Sequence, residues 1–399
     1  MKRYWKILTV SLVTIIVLGA FYIQSSLAAE TVEIEFEKVS GDESLVDNLV
    51  MNADYVVEDI HLTLLISNEE TVNLSNQSLF QQLTRLNLEA SSQRLIGEYK
   101  HFMRGKNRFP NSFYEDEDLL VYADIDDRGI NGSFKNASFT IDVLDKKSEE
   151  STAMELDLPK KGSYAWVNIA DIQIVDTKLK VSAWASPIDG GEDLVVYTID
   201  LPGKKITNEE VVYSAPKIKN GWSEFRILTD YYSSQAEKYL LIKAAAYEHS
   251  NDSGDGAEIG EPKELANDFI VYDIGTNKKE KIDVPDEVIG FIDNSSIVDS
   301  TVYIPVQTEN EIEIIQYDIE TQKWDKKQTF AVEQSKDAED APFVKLQDGK
   351  IYIVSATDEG HTLLIGDLQT GETLYEGNLK VKNQKTEQKD YQLYIFEIE

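Results

Sequence analysis

From about Leu119 to the C-terminus, the chain is built of short apolar or alternating runs, each closed by turn-forming residues. That is the pattern of strands with one or both faces buried, and it predicts an all-β fold. Helical spacing is scarce. Its best stretch runs from Ser78 to Arg94, where Leu79, Phe80, Leu83, Leu86 and Leu88 predict one amphipathic helix capped by Ser75 or Asn76.

The strands end alike. Val196 to Asp200, Val271 to Asp273 and Ile314 to Asp318 each bring a Tyr and an Asp to the end of an apolar run, and Leu364 to Asp367 keeps the Asp. Two segments align without a gap: Asp299-Ser300-Thr301-Val302-Tyr303-Ile304 leads to Asp318, and Asp348-Gly349-Lys350-Ile351-Tyr352-Ile353 leads to Asp367, each 19 residues on. A looser copy runs from Asp176 to Asp200. Each copy reads as a turn, a strand, a hairpin loop, a strand ending in Asp, a short turn and a more polar strand. Asp318 and Asp367 lie 49 residues apart, and four antiparallel strands repeating at that period predict propeller blades.

Two further blades are more degenerate. One joins Leu119–Ile125, Ala137–Leu144 and Ala153–Leu158; the other pairs Tyr239–Tyr247 with Phe269–Ile274. Tyr391–Ile398 is expected as the third strand of a spliced blade, with Val32–Val39 as its outer strand, removing exposed sheet edges. Asn48 to Asn111 stays unassigned, so the expectation is six or seven blades. Asp at a strand end can accept the N–H groups of the following turn, and Tyr197, Tyr272, Tyr317 and Trp324 are expected to pack between sheets.

Asp367-Leu368-Gln369-Thr370-Gly371-Glu372-Thr373-Leu374-Tyr375 resembles the D-x-x-T-G-x-x-x-W stretch of quinoprotein-like (PQQ-like) propeller blades. Asp318 to Trp324 is a looser copy, with Gln322 where glycine is expected. The resemblance implies the propeller fold; it brings no quinone site, and no cofactor is expected.

Composition changes the picture at the N-terminus. Lys2, Arg3 and Lys6 precede the uncharged stretch Ile7–Ile23, and Ser26-Leu27-Ala28-Ala29 supplies small residues for cleavage. Residues 1–29 read as a signal peptide or retained membrane anchor, and 30–399 as the propeller domain with its helical insertion around 78–94. There is no cysteine, so disulfides, thiolate metal sites and a lipobox are excluded. Without the signal region, 36 basic residues face 72 acidic ones, a net charge of −36. Such a surface repels nucleic acid and anionic lipid, keeps an exported protein soluble and favours cations or basic partners. Export without cysteine points to the outside of a Gram-positive bacterium, with membrane contact only through the N-terminal segment.

Chemistry-bearing motifs are few. His61, His101, His249 and His361 share no metal-ligand spacing, and there is no nucleophile elbow or P-loop. Gly254 to Gly260 does not form a dinucleotide loop, because Pro262 stands where the helix would start. Asp124, Asp126 and Gly129 fit three positions of a calcium loop, but Arg128 and Lys135 occupy two others. Asn251, Ser253, Asp255 and Gly256 fit better, with Glu258 or Glu261 as stand-ins for the closing acid that Pro262 displaces. A solvated acidic insertion is the preferred reading of that loop. The second-to-third-strand loops Asp126–Asn136, Ser186–Glu192, His249–Asp268, Thr308–Asn310 and Thr357–Gly360 should share one face, where a ligand would bind.

Two function classes remain: an exported, non-enzymatic module that binds an envelope protein or glycan, and an extracellular hydrolase or lyase using carboxylates in the propeller channel. With 72 acids, paired carboxylates are unavoidable and nominate no residue. Export itself is testable. The protein should be recovered outside the cytoplasmic membrane, beginning near Ala29 or Glu30 if cleaved; N-terminal sequencing of a purely cytosolic product with Met1 intact would overturn the reading.

Overall fold

A computed structural model describes residues 32–57, 60–74, 90–126, 134–228, 237–248, 263–308, 310–335, 341–358, 360–382 and 391–399. These residues form six antiparallel sheets, the blades of a β-propeller. Blade 2 comprises β5 (Phe113–Glu115), β6 (Leu119–Asp126), β7 (Ser138–Asp145) and β8 (Ser151–Asp157). Blade 3 comprises β9 (Tyr164–Val175), β10 (Lys178–Pro187), β11 (Asp193–Asp200) and β12 (Lys205–Ser214). In blade 4 the strands are β13 (Gly221–Ile227), β14 (Tyr239–Glu248), β15 (Lys263–Asp273) and β16 (Lys278–Ile282). Blade 5 holds β17 (Ser296–Val298), β18 (Thr301–Gln307), β19 (Glu311–Asp318) and β20 (Lys323–Ala331).

The remaining two blades are spliced from both ends of the chain. Blade 6 runs through β21 (Phe343–Gln347), β22 (Lys350–Thr357), β23 (Gly360–Asp367) and β24 (Thr373–Val381), and β1 (Ile34–Gly41) adds a fifth strand beyond β24. Blade 1 combines β2 (Val50–Val57), β3 (Ile60–Ser67) and β4 (Thr71–Asn73) with β25 (Gln392–Ile398), which pairs with β2. The expected splice is therefore corrected in two respects. The C-terminal strand is an innermost strand, not a third one, and β1 covers the outer edge of blade 6 instead of joining the C-terminal strand. Each pairing covers a different open edge, which a single spliced blade would not do. Within the unassigned stretch from Asn48, β2 to β4 supply the rest of blade 1, and the described residues form six blades.

The strand-end Asp has the role its chemistry predicts. Asp367 Oδ1 accepts from the N–H groups of Gln369 (2.9 Å) and Thr370 (2.7 Å). Asp318 accepts from Thr321 (2.6 Å), Asp273 from Thr276 (2.8 Å), Asp200 from Gly203 (3.3 Å) and Asp145 from Ser148 (2.8 Å). Blade 1 uses Ser67 Oγ in the same place, accepting from Glu70 N (3.2 Å). In the five Asp turns the residue four positions on is left-handed: Glu149, Lys204, Asn277, Gln322 and Gly371. Only glycine and asparagine suit that conformation, which is why the D-x-x-T-G signature is plain in blade 6 and faded elsewhere. The first hairpin turns also correspond, with Asp176, Asp299 and Asp348 all at positive φ.

Between blades the contacts are apolar. Separate clusters join blades 2 and 3, 3 and 4, 4 and 5, 5 and 6, and 6 and 1. The tyrosines pack as expected: Tyr197 and Tyr272 are fully buried, Tyr197 meets Phe139 of blade 2 edge-on, and Tyr317 lies against Trp324. Trp324 also donates Nε1–H to the Asp283 carbonyl, tying blade 5 to blade 4 (3.0 Å). On the blade-1 side of blade 2 the filling differs. There Leu120, Tyr122 and Leu144 pack on Leu95, Phe102 and Met103 of helix α1 (Ala90–Glu98) and the turn after it. The predicted helix ends later than expected, at Glu98 instead of Arg94; its expected portion before Ala90 lies outside the described residues. Of the acidic insertion, Lys263–Asp268 are not loop but the first half of β15, held by the ladder with β14.

Replacing Asp367 by Ala should cost about 0.5 to 2 kcal/mol of unfolding free energy, as lost side-chain caps do. Gln322→Gly should act oppositely. Relief of a left-handed non-glycine residue is worth about 1 to 2 kcal/mol and the added backbone entropy costs about 0.5 to 1, so denaturant melts should show a gain of roughly 0.5 to 1 kcal/mol.

Candidate functional site

The inner end of each sheet is defined by contact: β9 meets β5 and β6, β21 meets β18, and β25 meets β21 and β22. The strands lining the channel are therefore β25, β5, β9, β13, β17 and β21. Among the described residues, the exposed large apolar side chains include four aromatic ones, and all four belong to these strands or their lead-in. Trp166 lies on β9 (37% exposed), Tyr394 and Phe396 on β25 (37% and 55%), and Phe109 just before β5 (58%). Trp166 pairs with Ser186, beside the second-to-third-strand loop of blade 3. Trp222 stands at the corresponding end of β13, stacked on Tyr247 with ring centroids 5.1 Å apart. Trp166 and Trp222 thus stand at the loop-bearing mouth of the channel, Tyr394 lies below it opposite Asp54, and Phe396 lies nearer the other end of β25, level with Asn52 and Ala53.

Beside that mouth, the seam between blades 6 and 1 encloses a pocket of about 230 Å³, lined by residues that include Phe343, Val354, His361, Leu393 and Tyr394. His361 is 5% exposed; its Nε2 accepts from Leu393 N (3.2 Å), while Nδ1 is buried without a partner. Its ring leans on Tyr391, which stacks in turn on Tyr55 and donates its hydroxyl to the Leu379 carbonyl (2.9 Å). Burial makes the charged form costly, so the imidazole is pushed down to about 4 and stays neutral.

A second pocket, of about 420 Å³, lies against β6 and β7 of blade 2. Its lining includes Arg104, Lys106, Tyr122, Asp124, Asp126 and Asp142. Lys106 pairs with Asp142 and lies over the Phe102 ring, 4.2 Å from its centroid. Asp124 accepts from the Tyr122 hydroxyl (2.9 Å) and from Ile125 N (2.8 Å). These carboxylates already serve structural partners, and the rest of the calcium loop that Asp124 and Asp126 half-match, residues 127–133, lies outside the described residues. Among the described residues, no three His, Asp or Glu side chains gather where they would hold a metal ion. Asn251, Ser253, Asp255, Glu258 and Glu261 lie outside the described residues, as does His249. His61 and His101 are exposed.

One carboxyl stands out on the inner strands. Asp171 of β9 keeps a little surface, but its Oδ2 is sealed without a hydrogen-bond partner, and Oδ1 accepts from Gln173 Nε2 (3.1 Å). Burial raises it to about 6, against the lowering by its hydrogen bonds. It faces blade 4 from beside Ser182, away from the exposed rings. Neither Asp171 nor the aromatic mouth could be read from the sequence, because neither has a motif; channel-strand position is what distinguishes Trp166 and Trp222 from Trp184 and Trp324.

No family model matches the chain, and no curated protein matches it. Solved structures similar to it include the polysaccharide lyase Uly1 (14% identity, TM-score 0.36, covering 68% of this chain and 57% of that one). Another is the β-propeller domain of the trilobed protease from Pyrococcus furiosus (11%, 0.31, 86% and 84%). A third comes from a study of two prolyl endopeptidases (11%, 0.33, 91% and 51%). This chain spans little more than half the length of the lyase and of the prolyl endopeptidase. At such identities the likeness bears on fold alone, and at such TM-scores no argument about function rests on it.

The two buried groups set opposing pH dependences. The folded-state value of His361 lies below the ordinary 6.5, so the unfolded chain binds more protons and stability rises as pH climbs from about 4 to 6.5. The folded-state value of Asp171 lies above 3.8, so its contribution falls as pH climbs from 3.8 to about 6. Chemical denaturation at a series of pH values should therefore show His361→Gln tilting the stability profile downward with rising pH in this window. Asp171→Asn should tilt it upward.

Proposed function

We infer that the protein is an exported, non-enzymatic binding module whose ligand, an envelope glycan or protein, docks at the aromatic mouth of the propeller channel. The observation that carries this reading is the confinement of the exposed aromatic side chains to the channel strands and their lead-in. An aromatic ring held in water on a rigid strand gains most by being covered, and clustered exposed apolar surface marks interaction sites. Six blades of quinoprotein-like type supply the rigid frame, and the turns and inter-blade cores consume the recurring Asp and Tyr residues structurally. The N-terminal segment provides export or anchoring outside a Gram-positive cell membrane; no described helix is long and apolar enough to cross one.

A second reading has one observation in its favour. Asp171, raised to about 6 on an inner strand, has the proton affinity of a general acid, as a carboxylate-dependent hydrolase or lyase would need. Its sealed Oδ2 and its position in the blade 3–4 interface favour a structural role.

The two readings separate in one experiment. Isolated cell envelopes should co-sediment the wild-type protein, and Trp166→Ala/Tyr394→Ala should lose at least tenfold in apparent affinity, roughly the loss of two aromatic anchors. Asp171→Asn should bind as the wild type does. Release of soluble sugar or peptide products by the wild type, abolished in Asp171→Asn, would replace the binding module with the enzyme.

A further inference from the structure

The chain carries a large excess of acid, yet between Glu98 and Glu115 there is no acidic residue at all. Into that gap fall Lys100, Arg104, Lys106 and Arg108, with His101 among them. The segment is a strap. It leaves α1 through continued helical bonds, Tyr99 N to Leu95 O (2.8 Å) and Met103 N to Tyr99 O (2.9 Å). Phe102 and Met103 are buried against blade 2 and pin it there. Ser92 Oγ donates to the Arg108 carbonyl (2.7 Å), and Asn107 N donates to the Tyr122 hydroxyl (3.1 Å). Held so, the strap turns Lys100, His101, Arg104 and Arg108 to solvent. Lys100 and Arg104 stand four residues apart on one side of the turn.

The acids around the strap are engaged. Asp142 pairs with Lys106. Glu115 takes Arg94 and Lys146, Glu98 takes Arg94, and Asp124 holds Tyr122 and Ile125 N. Asp126 lines the pocket beneath Arg104 and has a partner of its own. The strap ends at exposed Phe109, on the lead-in to channel strand β5.

We propose that the strap Lys100–Arg108 is the recognition element for an anionic glycan, whose acidic groups pair with Arg104, Arg108 and Lys100 while its sugar rings lie across the exposed aromatics. Guanidinium forks match carboxylate and phosphate oxygens in pairs. The flat rings of Phe109 and Trp166 suit the apolar faces of pyranoses. The pocket under the strap is lined mainly by charged and polar side chains, with three acids against Arg104 and Lys106, so it lacks the apolar walls that peptide side chains need, and the glycan's acids meet the outward cations above it. The protein's overall negative charge opposes a polyanion elsewhere, but screening over about 10 Å at 0.1 M salt leaves the local field in control at the strap. The result is orientation: a polyanion is repelled by most of the surface and received at one place.

This rests on the mouth being the ligand face, and the test separates the two. Binding of polygalacturonate, phosphorylated mannan, neutral dextran and polyglutamate to the full chain is measured by calorimetry at 50 and 300 mM salt. The wild type should bind polygalacturonate or the phosphomannan, whichever carries the preferred acid, and weaken on the order of tenfold at the higher salt. Lys100→Gln/Arg104→Gln/Arg108→Gln should lose at least tenfold with an unchanged melting temperature. Lys204→Gln/Lys205→Gln/Lys219→Gln, which removes three exposed charges elsewhere, should bind as the wild type does. Equal affinity of the strap variant and the wild type, dextran binding as tight as that of the acidic polymers, tighter binding of polyglutamate, or no binding to either acidic glycan would each overturn the proposal. Loss of envelope binding on Trp166→Ala/Tyr394→Ala alone would keep the mouth as the ligand face and still reject the strap.

Discussion

A sheet that ends in open water must either be covered or invite another chain, and in this protein one ladder answers that constraint for the whole ring. β25 pairs with β2 across 345 residues of sequence, with Asn52 donating to Glu397 (2.8 Å) as well as the backbone bonds. Without it, blade 1 has no innermost strand, the seam pocket has no wall and His361 has no donor. The second pairing, β1 on β24, seals the outer edge next door, aided by ion pairs from Lys380 to Glu37 and Lys382 to Glu33. The ion pairs are exposed and add little; the ladders carry the closure.

Much of this architecture was legible in the residues because the blade turn needs a short acceptor at a fixed place. Asp318 and Asp367 announced blades 5 and 6, and Asp200 and Asp273 the two before. What stayed illegible has physical reasons. Blade 1 caps its turn with Ser67 in place of Asp and draws its inner strand from the far end of the chain, so neither spacing nor signature survives there. The left-handed position tolerates Glu149, Lys204 and Gln322 at a cost of about 1 to 2 kcal/mol each, so the glycine of the motif is dispensable wherever the rest of the blade is well packed. The helix was expected from leucines that lie outside the described residues; within them, Leu95 and the turn residues Phe102 and Met103 are buried against blade 2.

The candidate site was less legible than the fold. An exposed Trp166 and a buried Trp look the same in a string of letters; the difference is strand order, which only the ring supplies. Net charge misled in a specific way. It averages over the surface, while a ligand meets a patch no wider than a screening length. The sixteen residues from Tyr99 to Tyr114 have the opposite sign from the rest of the chain, and the fold then anchors them by Phe102 and Met103 so that the cations face outward.

Closure by the last strand also makes the order of synthesis matter. Blades 2 to 5 are each complete as soon as their own residues have emerged, and they can stack on one another as they appear. Blade 1 cannot. Its strands β2 and β3 emerge before blades 2 to 6 and must wait, with the inner edge of β2 unpaired, until Gln392–Ile398 arrive. Such long-range pairing is slow to form, and unpaired strand edges are where partly folded chains associate. A chain cut short anywhere before β25 is left with that edge open, so the seven residues of β25 decide whether blade 1 closes.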